Sequence, residues 1–388
     1  MFARTSAHGR YRRGLGAAAL AAALVAVAGC GSSSSDSGSA TASAGQSTTA
    51  TASGGSAVDQ AKAMVAQATK RPGAISVTTP VGKAIPTGKK LVFISCGAAA
   101  CQTQGKIVAE AAAKLGWTSK TIATDGSPQQ IQNGFNTALR GGADGIILNA
   151  TTRAAVATQL KAAQAKKVAF VGCCSTEKVG PDYLYNTGTP EQNTKIGTYL
   201  AAMIAGDSGG KADTLYVDIP AFTILASLGT SLQQEYAKYC PGCGFAKIAV
   251  PLPRLADATN IIVSYLRSHP KVGYVALSVT DALGTGLPAA LKAAGLTKVK
   301  IVGQGGDPTA FQAIAQDQIL ALVPFDYYNV DYQMVDALAR HFAGAKVEQS
   351  RPPLWLVTKD NLPSDYTKIF PDVEDFQSQF MKVWGKTA

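Results

Sequence analysis

The sequence predicts an α/β protein with two doubly wound parallel-sheet lobes joined by a multi-strand hinge. Three observations support this prediction. From Lys89 onward, short apolar runs alternate with amphipathic helical segments. The runs are apolar at successive positions, as expected for parallel strands buried on both faces. The alternation restarts near residue 190, and a chain of 388 residues is long enough for two lobes.

The first lobe is predicted to cover residues 89–190 together with residues 326–345. Strands are expected near residues 91–95, 121–124, 145–148 and 168–172, and helices near residues 102–115, 128–140 and 154–166. Parallel strands need long crossover connections, and these three helices supply them.

The second lobe is predicted to cover residues 191–325 together with residues 350–360. Strands are expected near residues 214–217, 245–250, 273–277, 300–303, 319–323 and 354–358. Helices are expected near residues 191–205, 225–239, 257–268, 281–294 and 309–316, and one near residues 332–342 returns to the first lobe. The segments near residues 185–189 and 323–326 are the candidate hinges. In such a fold the ligand site is expected in the cleft, at the carboxyl ends of the strands.

Two extensions flank the lobes. Residues 57–88 read as an amphipathic helix over residues 58–69 followed by an extended segment broken by Pro and Gly. Residues 361–388 read as a polar loop and a terminal helix near residues 373–384. Both are expected to pack on the outside of the lobes.

The N-terminus reads as an export signal. Four arginines precede an apolar run over residues 15–27, which is too short to span a bilayer. The run ends in Val27-Ala28-Gly29-Cys30, which resembles a bacterial lipobox. The resemblance implies a signal peptide over residues 1–29, a lipid on Cys30 and a position on the extracytoplasmic face of the cell membrane. An ordinary signal peptide with a cysteine nearby by chance is the alternative.

Residues 30–56 are expected to form a disordered tether. They are almost entirely Ser, Thr, Ala and Gly, and cannot bury enough apolar surface to offset chain entropy. A flexible chain of this composition reaches about 25–30 Å.

Charge and histidine usage exclude several classes. Removing the four N-terminal arginines from the net charge of +11 leaves +7, spread along the chain without a basic stripe typical of nucleic-acid binding. Only His8, His269 and His341 are present, and none is placed beside a plausible nucleophile. We therefore expect no catalytic residues, no metal site and no cofactor.

Six cysteines follow Cys30, an even number that favours disulfides outside the cytoplasm. Cys240 and Cys243 lie in a turn and are expected to form a local disulfide, with a thioredoxin-like redox site as the alternative. A zinc site fits the cysteine spacings poorly. Cys96 and Cys101 flank the loop after the first strand, and Cys173 and Cys174 end the fourth. Pairing within each couple or between the two couples remains open.

Four segments together carry a resemblance to a known family. They are Gly142-Ala143-Asp144-Gly145-Ile146-Ile147-Leu148-Asn149, Asn260 with the following Leu266 and His269-Pro270, Ala282-Leu283-Gly284, and Val302-Gly303-Gln304-Gly305-Gly306-Asp307-Pro308. In this order and spacing the chain resembles the type I periplasmic binding proteins, nearest the ribose and galactose group of ABC importers, over about residues 88–345. The resemblance implies a monomer whose lobes close over a small solute and then dock on a permease coupled to a cytoplasmic ATPase.

The charged residues that bind sugar hydroxyls in that group are not found at the corresponding positions of this chain. The group's two aspartates align by eye with Thr152 and Val279, and its arginine aligns near Ala226, although a shift of one or two residues restores Asp281 or Arg153. The expected ligand-binding residues are Cys96, Cys101, Gln102, Thr151, Thr152, Cys173, Cys174, Phe222, Asn260, Asp281, Gln304, Asp307 and Phe325. Core packing is the alternative role for each aromatic residue, and capping of a helix is the alternative for Asp307.

Two other functions remain possible from the sequence. The first is a sensory receptor, which would present the closed complex to a membrane signalling partner. Neighbouring genes for a permease and an ATPase would favour transport over this function. An extracellular enzyme on the same fold is less favoured, because the chain is poor in histidine.

Overall fold

The structure is a computed structural model, and it describes residues 56–97 and 99–387. The expected signal peptide, the expected lipidation site at Cys30 and the expected tether up to residue 55 lie outside the described residues. Within the described part, no helix is long and apolar enough to cross a membrane.

The first lobe contains a five-stranded sheet in which all strands are parallel. Its strands are β1 (Lys90–Ile94), β2 (Thr118–Ile122), β3 (Gly145–Asn149), β4 (Ala169–Cys173) and β5 (Tyr185–Thr187), in the order β2-β1-β3-β4-β5. The central strands β3 and β4 are buried along their whole length, which explains why their sequences are continuous apolar runs.

The second lobe repeats this arrangement. Its strands are β6 (Asp213–Asp218), β7 (Phe245–Ala249), β8 (Val272–Leu277), β9 (Lys300–Gln304) and β10 (Ala321–Val323), in the order β10-β9-β8-β6-β7. Numbered from the first strand of each lobe, both sheets have the order 2-1-3-4-5. The predicted fold of two doubly wound parallel sheets is confirmed.

Twelve α-helices cover the described part of the chain. They are α1 (Ala57–Ala68), α2 (Ala99–Lys114), α3 (Pro128–Arg140), α4 (Ala157–Ala165), α5 (Pro190–Ser208), α6 (Leu225–Tyr239), α7 (Ala258–Ser268), α8 (Thr280–Leu283), α9 (Leu287–Ala293), α10 (Pro308–Ala315), α11 (Tyr327–Phe342) and α12 (Phe376–Val383). Several start at a signal visible in the sequence. In α3, for example, the Ser127 side chain accepts from the Gln130 N–H and proline occupies the first turn.

The structure corrects three predicted elements and adds one strand that was not predicted. The helix expected over residues 281–294 is divided into α8 and α9, because Gly286 adopts a left-handed backbone with φ of 73°. Strand β5 was not predicted, and β2 begins three residues before the predicted range. The strand expected over residues 354–358 is only a single antiparallel bridge between Val357 and Leu322.

The terminal extensions pack across both lobes, rather than only on the outside as expected. Helix α1 lies against α5 and α6 of the second lobe, where Ala61 and Ala68 are buried in the same apolar cluster as Leu200. The segment from Ile75 to Ile85 and the helix α12 instead join the core of the first lobe around α11. The chain therefore passes between the lobes at its ends as well as at the predicted hinges.

Candidate functional site

The candidate site lies at the carboxyl ends of the two parallel sheets. In a sheet of this order, the second strand is added on one side of the first, and the later strands are added on its other side. The order therefore reverses between the first and third strands, which are β1 and β3 in one lobe and β6 and β8 in the other. The loops that follow these strands diverge and leave a crevice, the usual position of a ligand in open α/β sheets. Four of the predicted ligand residues lie in these loops, namely Cys96, Thr151, Thr152 and Phe222, and most of the others lie at or near the carboxyl ends of neighbouring strands.

The first lobe carries a buried polar chain beneath this edge. Asn149 at the end of β3 donates through Nδ2 to Oε1 of Gln104 at 2.9 Å, and Gln104 donates through Nε2 to Oδ1 of Asp331 at 3.0 Å. Burial raises the pKa of Asp331 well above its usual range. Oδ1 of Asn149 and Oδ2 of Asp331 have no hydrogen-bond partner among the described residues. This chain ties β3 to α2 and α11 directly below the cleft.

Two disulfides flank that chain. Cys96 pairs with Cys101 with Cα atoms 5.8 Å apart, and Cys173 pairs with its neighbour Cys174. Cys101 and Cys173 are buried, whereas Cys96 and Cys174 are partly exposed. Pairing occurs within each couple rather than between them. The third pair, Cys240 with Cys243, lies at the end of α6, away from the cleft.

The backbone after β3 and β4 is held in an uncommon conformation. Ala150 and Cys174, the first residues after these strands, have φ of 54° and 64°. Left-handed backbone costs a non-glycine residue about 1–2 kcal/mol, and such strain is concentrated at functional sites. The Cys174 N–H donates to the Thr187 carbonyl at 2.7 Å, which fixes the vicinal pair against the hinge that follows β5.

In the second lobe, Asp281 is the central charged group. Its Oδ1 accepts from the Asp307 N–H at 3.0 Å, and its Oδ2 accepts from the Tyr327 hydroxyl at 3.3 Å. Burial, and then the negative charge of Asp307, raise the pKa of Asp281 to about 6. Because Tyr327 begins α11 of the first lobe, this contact joins the two lobes at the edge of the cleft.

Several buried acceptors near the same edge of the second sheet lack a partner. Among the described residues, no hydrogen bond reaches Oγ of Ser278, Oγ1 of Thr280 or Oε1 of Gln304. All three side chains are at least nine-tenths buried and follow or end β8 and β9. A buried polar atom without a partner is unfavourable unless something else satisfies it.

Comparison with known proteins identifies the family. The sequence profile described as periplasmic binding protein domain matches residues 92–346, about two thirds of the chain. The chain belongs to the periplasmic binding protein family. The resemblance inferred from its sequence motifs is therefore confirmed. A search of curated proteins found no match.

Solved structures share the fold of this periplasmic binding protein at low sequence identity. An ABC sugar transporter subunit from Rhodobacter sphaeroides is 20% identical with a TM-score of 0.62, covering 71% of this chain and 99% of its own. A 5-methylthioribose transporter solute-binding protein from Thermotoga lettingae is 20% identical with a TM-score of 0.63, covering 79% and 95%. A carbohydrate transporter from Acidothermus cellulolyticus, in complex with myo-inositol, is 20% identical with a TM-score of 0.59, covering 71% and 96%. At this identity the likeness concerns the fold alone.

Three predicted ligand residues of this binding protein have local structural roles. The carboxylate of Asp307 accepts from the Ala310 N–H at 2.9 Å and caps α10, which is the alternative role considered for it. Asn260 is exposed and donates to Asp257 at 3.0 Å. Thr152 is exposed and accepts from the Ala155 N–H at 3.3 Å. These contacts give each of the three residues a structural role that does not depend on a ligand.

The remaining predicted residues lie at or near the strand ends. Gln102 is exposed and donates to Oγ of Ser95 at 3.1 Å, and the Thr151 hydroxyl donates to the Asn149 carbonyl at 3.2 Å. Phe222 and Phe325 are partly buried, the first against the core of the second lobe and the second against that of the first. Arg153, considered for a shifted alignment of the sugar-binding residues, is paired with Asp182 at 3.1 Å and with Glu177.

The most important residues missed from the sequence are Gln104 and Asp331. Both lie on helices. In the pattern of apolar residues that predicts each helix, they are polar residues on the face that is expected to be buried. A buried carboxylate about one turn from the start of a helix needs a hydrogen-bond partner, and this was the available signal.

Two surface grooves lie away from the cleft. One of about 410 Å³ is lined by Glu110, Tyr328 and the start of α12, and one of about 430 Å³ lies between residues 75–80 and α12. The residues described in the structure contain no group of three or more side chains positioned to hold a metal ion.

Proposed function

We propose that this chain is a lipid-anchored, extracytoplasmic substrate-binding protein of an ABC-type importer. It binds a small solute in the cleft between its lobes and delivers it to a permease coupled to a cytoplasmic ATPase. The observation that carries the proposal is the family match across both lobes, combined with a lipobox-like segment that ends at Cys30. The protein acts as a monomer, without a cofactor, and holds the solute without covalent chemistry.

The proposed ligand is a small, uncharged polar molecule of the sugar or polyol type, or a related organic compound. Buried side-chain oxygens of Asn149, Ser278 and Gln304 have no hydrogen-bond partner among the described residues, and such oxygens suit hydroxyl groups on a ligand. Phe222 and Phe325 suit an apolar or aromatic face. The relatives with bound 5-methylthioribose and myo-inositol carry ligands of this general kind.

Thermal unfolding tests the ligand proposal. The protein is screened against sugars, polyols, nucleosides and aromatic acids, and a cognate solute at a hundredfold excess over its Kd stabilises the folded state by about 2.7 kcal/mol. Gln304→Ala is expected to remove most of that stabilisation. Gln316→Ala, at the end of α10, is the matched control and leaves it unchanged. A screen without any hit, or equal loss in both variants, contradicts the proposed cleft site.

The anchor is tested separately. In the natural host the mature N-terminus, analysed by mass spectrometry, carries a diacylglycerol on Cys30 and fractionates with the membrane. Cys30→Ser is expected to shift the protein out of the membrane fraction. A Cys30→Ser variant that stays with the membrane argues against the lipid anchor.

A further inference from the structure

Three of the crossings between the lobes run from the second lobe to the first and lie side by side. The chain leaves the core of the second lobe after Ala68 and enters that of the first at Ile75. After returning to the second lobe at the start of α5, it enters the first lobe again between Val323 and Tyr327. It returns once more between Val347 and Leu354, and makes its last entry into the first lobe between Phe370 and Val373. The first and third crossings lie outside the residues that match the family profile, so the terminal extensions add to the hinge of this protein.

Hydrogen bonds connect the three crossings. The Arg71 guanidinium of the first donates to the carbonyls of Pro371 and Asp372 at 3.0 and 3.1 Å, and to the Glu374 carboxylate at 3.2 Å. The Asp372 N–H of the third donates to Oδ2 of Asp326 in the second at 3.1 Å. Rotation of one lobe against the other must strain or rearrange these bonds.

Asp326 and Asp372 form a buried carboxyl pair at this junction. Asp326 is 4% exposed and Asp372 is fully buried. Asp326 accepts from the backbone and the side chain of Asn329, whereas neither carboxylate oxygen of Asp372 has a partner among the described residues. The charged and titratable groups that face the pair are Arg71 from the first crossing, with its partner Glu374, and Tyr328 and Asp331 from α11.

The surroundings favour protonated carboxyls. Burial raises the pKa of Asp326 to about 6, and burial followed by the charge of Asp326 raises that of Asp372 well above its ordinary value. The positive charge of Arg71 lowers the pKa of Asp372, but the Arg71 guanidinium donates its hydrogen bonds to backbone carbonyls and to Glu374. Two buried carboxylates close to each other cannot both ionise at low cost.

We infer that the terminal extensions form part of the hinge and that the Asp326–Asp372 pair makes this hinge proton-sensitive. With a proton on the pair, the second and third crossings stay packed together. Ionisation of both carboxyls makes them repel and loosens the junction. The consequence for solute capture rests on the proposed function, whereas the effect on the hinge does not.

The sign follows from the raised native pKa. The folded state holds a proton that the unfolded chain releases near pH 4, so the folded state loses stability as pH rises from about 4 through the native value. For Asp326, a rise from an ordinary value of 3.8 to about 6 corresponds to about a hundredfold in the unfolding equilibrium constant. Between pH 5 and pH 8 the unfolding equilibrium constant is expected to rise about tenfold, as part of this total.

The test compares the wild type with Asp326→Asn and Asp372→Asn, since asparagine keeps the shape of a protonated carboxyl. Asp365→Asn, an exposed position on the same C-terminal segment, is the matched control. Urea unfolding without any ligand is measured from pH 5 to pH 8. Relative to Asp326→Asn, the wild-type unfolding constant is expected to rise about tenfold over this range, while Asp365→Asn follows the wild type.

Small-angle scattering of the ligand-free protein provides a second readout. The radius of gyration of the wild type is expected to increase from pH 5 to pH 8, and that of the double variant Asp326→Asn/Asp372→Asn to stay constant. A double variant with the wild-type pH dependence in both measurements overturns the inference. Because neither experiment uses a solute, failure of the proposed transport function leaves these outcomes readable.

Discussion

The helices α5 and α11 occupy corresponding positions in the two lobes but are built from different chemistry. Each begins directly after a segment that crosses between the lobes. The N-cap residue is Thr189 in α5 and Asp326 in α11. Helix α5 buries mainly Ala, Ile and Leu against α6 and α1. Helix α11 also buries Asp331, Asp336 and Arg340. The same topology thus carries an apolar helix in one lobe and a charged one in the other.

The difference lies in what covers each helix. Helix α5 is covered by neighbouring helices, which satisfy their own backbone groups and need only apolar contact. Helix α11 packs on α2, but it is also covered by the extended segment of residues 75–85 and by the C-terminal extension, whose backbone needs partners. Arg340, for instance, donates to the Thr79 carbonyl at 2.5 Å as well as to Asp336. Buried charge on α11 therefore adds polar contacts to the apolar packing that attaches the terminal extensions to the first lobe.

The largest effect is expected from removing the guanidinium of Arg340. Its Nε lies 2.7 Å from Oδ2 of Asp336, both side chains are 2% exposed, and Trp384 donates to the other oxygen at 2.9 Å. Arg340→Met leaves the Asp336 carboxylate buried without its counter-ion, which costs about 3–5 kcal/mol. Urea denaturation at pH 8 measures this loss.

The double variant Asp336→Asn/Arg340→Met separates charge from shape. It removes the unpaired carboxylate and is expected to recover a large part of the lost stability. A cost below about 1 kcal/mol for the single variant would show that the ion pair does not hold the extension in place.

A smaller effect is expected where α5 packs on α6. A Cβ at Gly197 would lie 2.6 Å from the Leu228 carbonyl oxygen and 2.7 Å from the Leu232 nitrogen, so the two helix backbones meet there directly. Gly197→Ala is expected to cost about 1–3 kcal/mol through displacement of α6. Gly206→Ala on the same helix is the control, since its Cβ would meet only Lys62 at 3.4 Å or more. That control is expected to be neutral or to stabilise by up to about 1 kcal/mol. Equal effects at both positions would contradict close packing as the cause.

The sequence predicted the architecture well because the architecture depends on patterns that repeat. Nine of the strands and most helices were visible as apolar runs and amphipathic periods, and the third-strand segment of residues 142–149 pointed to the family. Strand β5 escaped because Tyr185–Thr187 has only three residues and includes a buried asparagine. The division between α8 and α9 escaped because a single glycine, Gly286, decides it.

The candidate site was less accessible to sequence reasoning. The ligand site was expected at the carboxyl ends of the strands, but the hydrogen-bond partners of the buried polar residues there come from distant parts of the chain. Gln104 and Asp331 are 227 residues apart, and Asp326 meets Asp372 only because the C-terminal extension crosses beside the hinge. Such pairings depend on the path of the terminal segments, which carry no periodic signal.

The smallest effect is expected at the contact that joins the start of α11 to the second lobe. Tyr327→Phe removes the hydroxyl that donates to Oδ2 of Asp281 at 3.3 Å, and is expected to cost about 0.5–1.5 kcal/mol. Because the pKa of Asp281 is about 6, the carboxylate is a full acceptor at pH 8 and is largely protonated at pH 5. The cost should therefore be greater at pH 8 than at pH 5, as measured by urea unfolding at both values. Tyr328→Phe leaves the Asp281 contact intact and is expected to show no such difference. A Tyr327→Phe cost independent of pH would assign the tyrosine to packing alone, and would make the junction at Asp326 and Asp372 the main proton-sensitive contact between the lobes.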